Sequence, residues 1–219
     1  KSTGKAGTLA LEVMWTRCRV VVVGRSGGQR VYDVPERALP EVAAVEPVES
    51  FSRWGVRERV DAAGMLATAS GPWWSMLKEA RKDGTVEALV EEEVLLRVRM
   101  AGSRREWLVR PAALEARPAV DGRMRIIGPL DPLLWNRNLV RMALGFEYVW
   151  EVYKPAVQRR WGYYVTPLLH RGDLVGRVEA RVSDGRLVVE QVWREHADFD
   201  EAAFSACLQR HASALGVDA

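Results

Sequence analysis

One order of elements occurs twice within the first 115 residues: a helix-like stretch, a strand, a short basic turn containing glycine, a returning strand and a proline that ends it. In the first copy Leu9, Val13 and Met14 recur at helical spacing over Thr8–Thr16, and Leu11 and Trp15 widen the apolar face. The β-branched run Val20–Val23 predicts a strand. Gly24-Arg25-Ser26-Gly27-Gly28 predicts a tight turn, and Gln29–Val34 returns until Pro35 stops it. In the second copy Val56–Ala69 predicts a helix interrupted at Gly64. Pro72–Lys82 predicts another, with Pro72 in its first turn and Asp83-Gly84 at its end. Thr85–Val90 and Val94–Met100 predict strands, Ala101-Gly102-Ser103-Arg104-Arg105 a second basic turn, and Glu106–Val109 the return before Pro111.

Helix, strand, basic loop and strand make up the second half of a winged helix. In that motif the helix enters the DNA major groove and the loop, or wing, lies along the backbone. The repeat is one of element order, not of residue identity. From Gly128 the pattern changes: Glu147–Tyr153, Trp161–His170, Leu174–Val182 and Arg186–Trp193 predict strands joined by Arg171-Gly172-Asp173 and Ser183-Asp184-Gly185 turns. Glu201–Leu215 closes the chain as an amphipathic helix using Phe204, Leu208 and Leu215. The expected class is α+β: tandem winged-helix units followed by a small antiparallel β-barrel-like domain with a C-terminal helix. The expected boundaries are 1–45 for the second half of a winged helix, 46–119 for a winged helix and 120–219 for the β domain.

Composition excludes several classes. With 48% hydrophobic and 28% charged residues in 219, the chain is expected to fold rather than remain disordered. No apolar run approaches the roughly 18–20 residues of a membrane span, and no secretory signal opens the chain. The start at Lys1-Ser2-Thr3-Gly4-Lys5, without Met, reads as the cut edge of a longer protein. Cys18 and Cys207 read as inert thiols of a cytoplasmic protein, and with three histidines they show no metal-ligand spacing, so no metal is expected. The net charge of +3 conceals two basic blocks, residues 1–40 and 121–171, each at net +4. Such blocks suit a polyanion-facing surface, although an Arg-rich solvated surface carries the same signal.

Candidate binding residues follow from these blocks. Arg25 and Arg30 flank the first wing-like turn and can reach phosphates, and Lys5 lies in the same basic block. Lys154, Arg159, Arg160, Trp161, Tyr163 and Tyr164 form the densest basic–aromatic cluster, in which cations meet phosphates and rings stack on bases or sugars. Tyr164 is expected to pack inward. In Asp131-Pro132-Leu133-Leu134-Trp135-Asn136-Arg137 the aspartate reads first as a turn or cap. Glu91-Glu92-Glu93 reads as a solvated acidic turn, and Trp73-Trp74 as core on one side. No Ser/His/Asp or Cys/His arrangement follows from the spacing of His170, His196 and His211.

Several segments together resemble the YcaQ-like winged-helix DNA glycosylases, a family similar to azinomycin-resistance and crosslink-repair enzymes. They are Gln29–Arg37, Asp131–Arg137, Gly145-Phe146-Glu147-Tyr148, Glu151–Pro155, Arg159–Val165 and Leu174-Val175-Gly176-Arg177. The resemblance spans roughly residues 5–195. It implies tandem winged helices before a β-barrel domain, a duplex DNA partner carrying alkylated or crosslinked bases, hydrolysis of an N-glycosidic bond, and no cofactor. It also implies a monomeric cytoplasmic protein at the nucleoid, with Asp131, Trp135 and Arg137 near the lesion. The family's catalytic triplet, Gln–apolar–Gln or Gln–apolar–Asp, has no counterpart here. Gln29-Arg30-Val31 and Gln191-Val192-Trp193 do not fit it, so no catalytic residue is assigned. The alternative is a non-catalytic winged-helix regulator on the same fold.

Overall fold

The computed structural model describes residues 3–43, 50–117 and 120–218, with the side chains of residues 3–5 and 43 outside that description. The chain divides into two compact units, Lys1–Glu49 and Ser50–Ala219. In the first, helix α1 (Thr3–Thr16) precedes the antiparallel hairpin β1 (Val21–Ser26) and β2 (Gln29–Asp33), then two short helices, α2 (Pro35–Ala38) and α3 (Pro40–Ala43). The hairpin turn is tighter than the expected five-residue loop. Ser26 pairs with Gln29, which leaves Gly27 and Gly28 as the two turn residues, at φ 54° and 79°. Two left-handed residues match the twist of a hairpin, and glycine adopts that conformation without strain. Asp33 closes the unit's last strand by accepting the Val34 N–H and the Arg37 guanidinium.

The second unit opens with helix α4 (Phe51–Ala63), capped by Ser50 accepting from the Arg53 N–H. There follow β3 (Leu66–Ala67), a 3-10 turn Pro72–Trp74, α5 (Thr85–Glu91), β4 (Leu96–Arg99), β5 (Glu106–Val109) and α6 (Pro111–Glu115). The sheet order β3-β5-β4 with helices α4 and α5 on one side is a winged helix, with residues 100–105 as its wing. Val56, Val60, Leu66, Trp74, Leu89 and Leu108 form its dry core.

Three expectations fail here, for local reasons. The helix expected over Val56–Ala69 starts earlier and stops at Ala63, where Gly64 takes a positive φ of 69°, and Leu66–Ala67 pairs with β5 as strand β3. Thr85–Val90 is a helix and not a strand. The Asp83 carboxylate accepts the Thr85 N–H, Gly84 is left-handed, and Val86 and Leu89 share the buried face of a helical turn. The β-branched Val86 and Val90 suggested extension, but that tertiary burial decides the conformation. Pro72–Lys82 forms only its first turn. The Arg59 guanidinium takes the carbonyls of Trp73 (2.6 Å) and Ser75 (3.2 Å), and Met76 turns left-handed at φ 67°.

The remainder is β6 (Arg125–Ile126), a 3-10 turn Pro132–Leu134, α7 (Arg137–Leu144), a 3-10 turn Ala156–Gln158, β7 (Val165–His170), β8 (Asp173–Ser183), β9 (Arg186–Arg194) and α8 (Glu201–Leu215). The strands form one antiparallel sheet in the order β6-β7-β8-β9. Its α8 face packs Leu168, Val178, Phe204 and Cys207, and its other face packs Leu134, Val140, Phe146 and Tyr148. A β-bulge leaves Val175 as the extra residue opposite Leu168 and Leu169, so Val175 faces α8 while Leu174 faces away. The α+β class and the run of antiparallel strands closed by a helix agree with expectation. Glu147–Tyr153 does not become a strand, because the Arg177 guanidinium takes the Glu147 carbonyl (2.6 Å) that a neighbouring strand would need. No helix among the described residues is long and apolar enough to cross a membrane.

Candidate nucleic-acid interface

The basic–aromatic segment 159–164 is an irregular loop clamped by two carboxylates. Strand β7 begins only at Val165, later than the expected Trp161, because the preceding N–H groups point at side chains. Trp161 N–H donates to Glu151 Oε2 (2.8 Å), and the N–H groups of Tyr163 (2.6 Å) and Tyr164 (3.0 Å) both donate to Glu179 Oε1. Gly162 is required between them, since a Cβ there would lie 2.2 Å from Glu179 Oε2. Glu151 is 3% exposed, and its other oxygen accepts from Lys154 Nζ at 2.7 Å. Burial alone would raise its carboxyl. The Lys154 ammonium and the N–H groups of Trp161 and Arg160 outweigh it and hold the carboxyl at about 2.

Beneath this loop lies Arg177, 2% exposed on β8. Its guanidinium sits 4.1 Å from the ring centres of both Phe146 and Trp161 and pairs with Glu195. Trp161 meets Trp193 edge-on at 5.6 Å. Trp161, expected to stack on DNA, is half-buried and held by Arg177 and Trp193. The loop's exposed groups are Arg160, Tyr163 and Tyr164, with Arg159 half-buried between them. Arg159 donates to the Lys154 carbonyl (2.9 Å) and lies 4.8 Å over the Tyr163 ring. Arg160 lies 4.6 Å over Trp161 and reaches Glu147 only at 3.7 Å. Tyr163 is 54% exposed, and Tyr164, expected inward, is also exposed while touching Trp150 edge-on. Arg159 thus bridges Lys154 and Tyr163, Lys154 is tied to Glu151, and the exposed Arg160 lies over Trp161.

The first wing is tied back on its own unit. Arg30 lies 4.5 Å over the Trp15 ring and Arg25 donates to the Gly28 carbonyl at 3.3 Å. The side chain of Lys5 lies outside the described residues. In the second winged helix, α5 stands where a groove-reading helix would be, yet it carries Glu87 and ends in Glu91-Glu92-Glu93, the predicted acidic turn. Arg97 pairs with Glu87, and Arg53 with Glu92. This acidic surface opposes entry into a groove lined by phosphates. Its wing differs: Arg104 and Arg105 are exposed and make no ion pair among the described residues.

Asp131, Trp135 and Arg137 each have their own partners. Asp131 caps the turn Pro132–Leu134 by accepting the Leu133 N–H (2.9 Å), the role its Asp-Pro context predicts. Arg137 is exposed with its guanidinium 5.9 Å from the Tyr148 ring, and Trp135 lines a cavity beside the winged helix. The groups that build the loop, Glu151, Glu179 and Arg177, were not among the sequence candidates. Their only local signals are the Glu-x-x-Lys spacing of Glu151 and Lys154 and the alternation of Arg177 and Glu179 on β8. Among the described residues no three His, Cys, Asp or Glu side chains gather as metal ligands.

A winged helix followed by a helix-backed antiparallel sheet that presents a clamped basic–aromatic loop is the class these features define. A family model described as DNA glycosylase AlkZ-like matches residues 1–214, and the chain belongs to that family. Among solved structures, Streptomyces sahachiroi DNA glycosylase AlkZ is similar in fold, with a TM-score of 0.55 at 17% identity over 89% of this chain and 52% of that one. The chain thus spans about half the length of that protein.

Proposed function

We propose that this chain is the DNA-gripping portion of a repair glycosylase that removes alkylated bases or unhooks interstrand crosslinks. Its partner is duplex DNA, and it acts as a monomer in the cytoplasm, at the nucleoid. In this reading residues 1–45 supply the second half of one winged helix, 46–119 a second, and 120–219 the β domain. Cleaving the bond to an alkylated, cationic base needs a positioned water and stabilisation of oxocarbenium character. In this reading neither step is assigned to a residue of this chain. It contributes grip and positioning, which lower the barrier as much as the reacting group does.

The observation that carries the reading is the clamped loop. Glu151 and Glu179 hold its backbone, so the exposed Arg160 and the half-buried Arg159 are carried on a preorganised loop. A preorganised cation loses less freedom on meeting a phosphate. The acidic α5 disfavours the regulator alternative, which depends on a helix reading base edges in the major groove. The test is Arg159→Ala with Arg160→Ala. Duplex affinity should fall across all sequences and the salt slope should drop by about two, roughly one per lost phosphate contact. Thermal melting should change little, since exposed ion contacts contribute about 0–1 kcal/mol each. A large loss of melting temperature with an unchanged slope assigns both arginines to the fold instead.

A further inference from the structure

Within the Ser50–Ala219 unit a cavity of about 190 Å³ lies between the winged helix and α7. Its wall is apolar: Leu66, Trp73, Trp135, Leu139, Val140 and Ala143. Trp73 and Asn136 also border a wider cleft of about 590 Å³, which runs past Asn138 to Arg104 and Arg105 on the wing. We propose that cavity and cleft together bind one unstacked nucleotide, the cavity taking its flat base and the wing arginines its phosphates. The proposal rests on the reading that the chain holds DNA.

Four observations converge on that ligand class. The pocket is open on one side, apolar-walled and larger than the roughly 150 Å³ that holds a benzene-sized ring, so a flat heterocycle can enter it and bury its faces. Both indoles are fixed with their polar edges committed. Trp73 Nε1 donates to the carbonyls of Ala67 (3.1 Å) and Ala69 (3.0 Å), and Trp135 Nε1 to Leu130 (3.1 Å). Trp73 therefore presents carbon surface, on which any base can stack, while the Arg59 guanidinium lies 5.3 Å over the Trp135 ring and leaves that indole one face and its edge. Asn136 caps α7 through Oδ1, which accepts the Leu139 N–H at 3.1 Å. Its amide N–H₂ has no partner among the described residues, so it is an oriented donor at the boundary of cavity and cleft. Finally, many arginines of the unit are committed to a carboxylate, as Arg97, Arg110, Arg125, Arg181 and Arg194 are. Arg104 and Arg105 are not, and they flank the cleft beside Glu106, whose carboxylate faces Arg97 at 3.7 Å and Arg99 at 3.9 Å. An apolar slot, an amide at its rim and two free cations beyond it match base, base edge and phosphodiester in that order.

The test compares two labelled duplexes of equal length, one fully paired and one with a single unpaired adenine, by fluorescence anisotropy with the full chain. The unpaired duplex should bind about tenfold tighter, the size of one base stacked on aromatic side chains. Ala143→Phe fills the cavity and should erase that ratio. Arg104→Ala with Arg105→Ala, on an exposed wing where folding is not at stake, should reduce it several-fold. Equal wild-type affinities, or a preference that survives both variants, overturn the proposal. If neither duplex binds, the DNA-holding reading fails by itself, and deoxyadenosine 5′-monophosphate is titrated directly. Saturable binding that the wing double variant weakens upholds the pocket, and no binding removes it.

Discussion

Replacing Glu151 with Gln removes the charge that clamps the basic–aromatic loop while keeping its shape. The carboxyl lies near 2 instead of its ordinary 4.5. That difference of about 2.5 units corresponds to roughly 3 kcal/mol if taken whole. Burial works against the carboxylate, and its Lys154 partner is 43% exposed, so solvent screening reduces the expected loss to about 1–2 kcal/mol. For a chain of this size that is a fall in melting temperature of roughly 2–8 °C at pH 7. A depressed carboxyl stabilises fully above its unfolded value and loses that contribution as pH falls through its folded one. The gap between wild type and Glu151→Gln should therefore be complete above about pH 4.5 and close toward pH 2. Differential scanning calorimetry at stepped pH reads both numbers. Equal melting temperatures at pH 7, or a gap that widens in acid, refute the clamp.

Gly162→Ala should cost about 2–3 kcal/mol by melting, because the new Cβ displaces the Glu179 carboxylate and frees the Tyr163 and Tyr164 N–H groups, and it should weaken duplex binding without removing any cation. Arg177→Ala should cost about 2–4 kcal/mol, since it empties the space the guanidinium fills between Phe146 and Trp161 and leaves the Glu147 carbonyl without its donor. Purified free of host glycosylases, the chain should release no base from N7-alkylated duplex DNA, and measurable excision above a buffer control would place a catalytic residue within it.

The parts of the fold legible in the sequence are those where periodicity and turn chemistry agree. Glu201–Leu215 was expected and observed with the same bounds, because Phe204 and Leu208 mark one face and Asp200 caps its start. The β8–β9 hairpin follows from Asp184-Gly185, both at positive φ. Legibility fails where a side chain takes over the backbone. Arg59 ends the helix expected over Pro72–Lys82, Arg177 intercepts the strand expected over Glu147–Tyr153, and Glu151 with Glu179 delays β7. Each is a contact across many residues, invisible to a local window. The same cause blurred the site. Arg160 and Tyr163 stand out by composition and are exposed, whereas Arg159 and Trp161 carry the same composition signal and are half-buried, Arg159 bonded to the Lys154 carbonyl and Trp161 packed on Arg177 and Trp193. Arg104 and Arg105 look like any surface pair until the ion pairs of their neighbours are known.

The central claim, that this chain grips duplex DNA through phosphate contacts, is tested most directly by filter binding of an unmodified duplex across a salt series. The account predicts retention at low salt and a linear fall of log affinity with log salt, its slope reflecting several neutralised phosphates at about 0.9 each, with little change between unrelated sequences. No retention of duplex at low salt would contradict it.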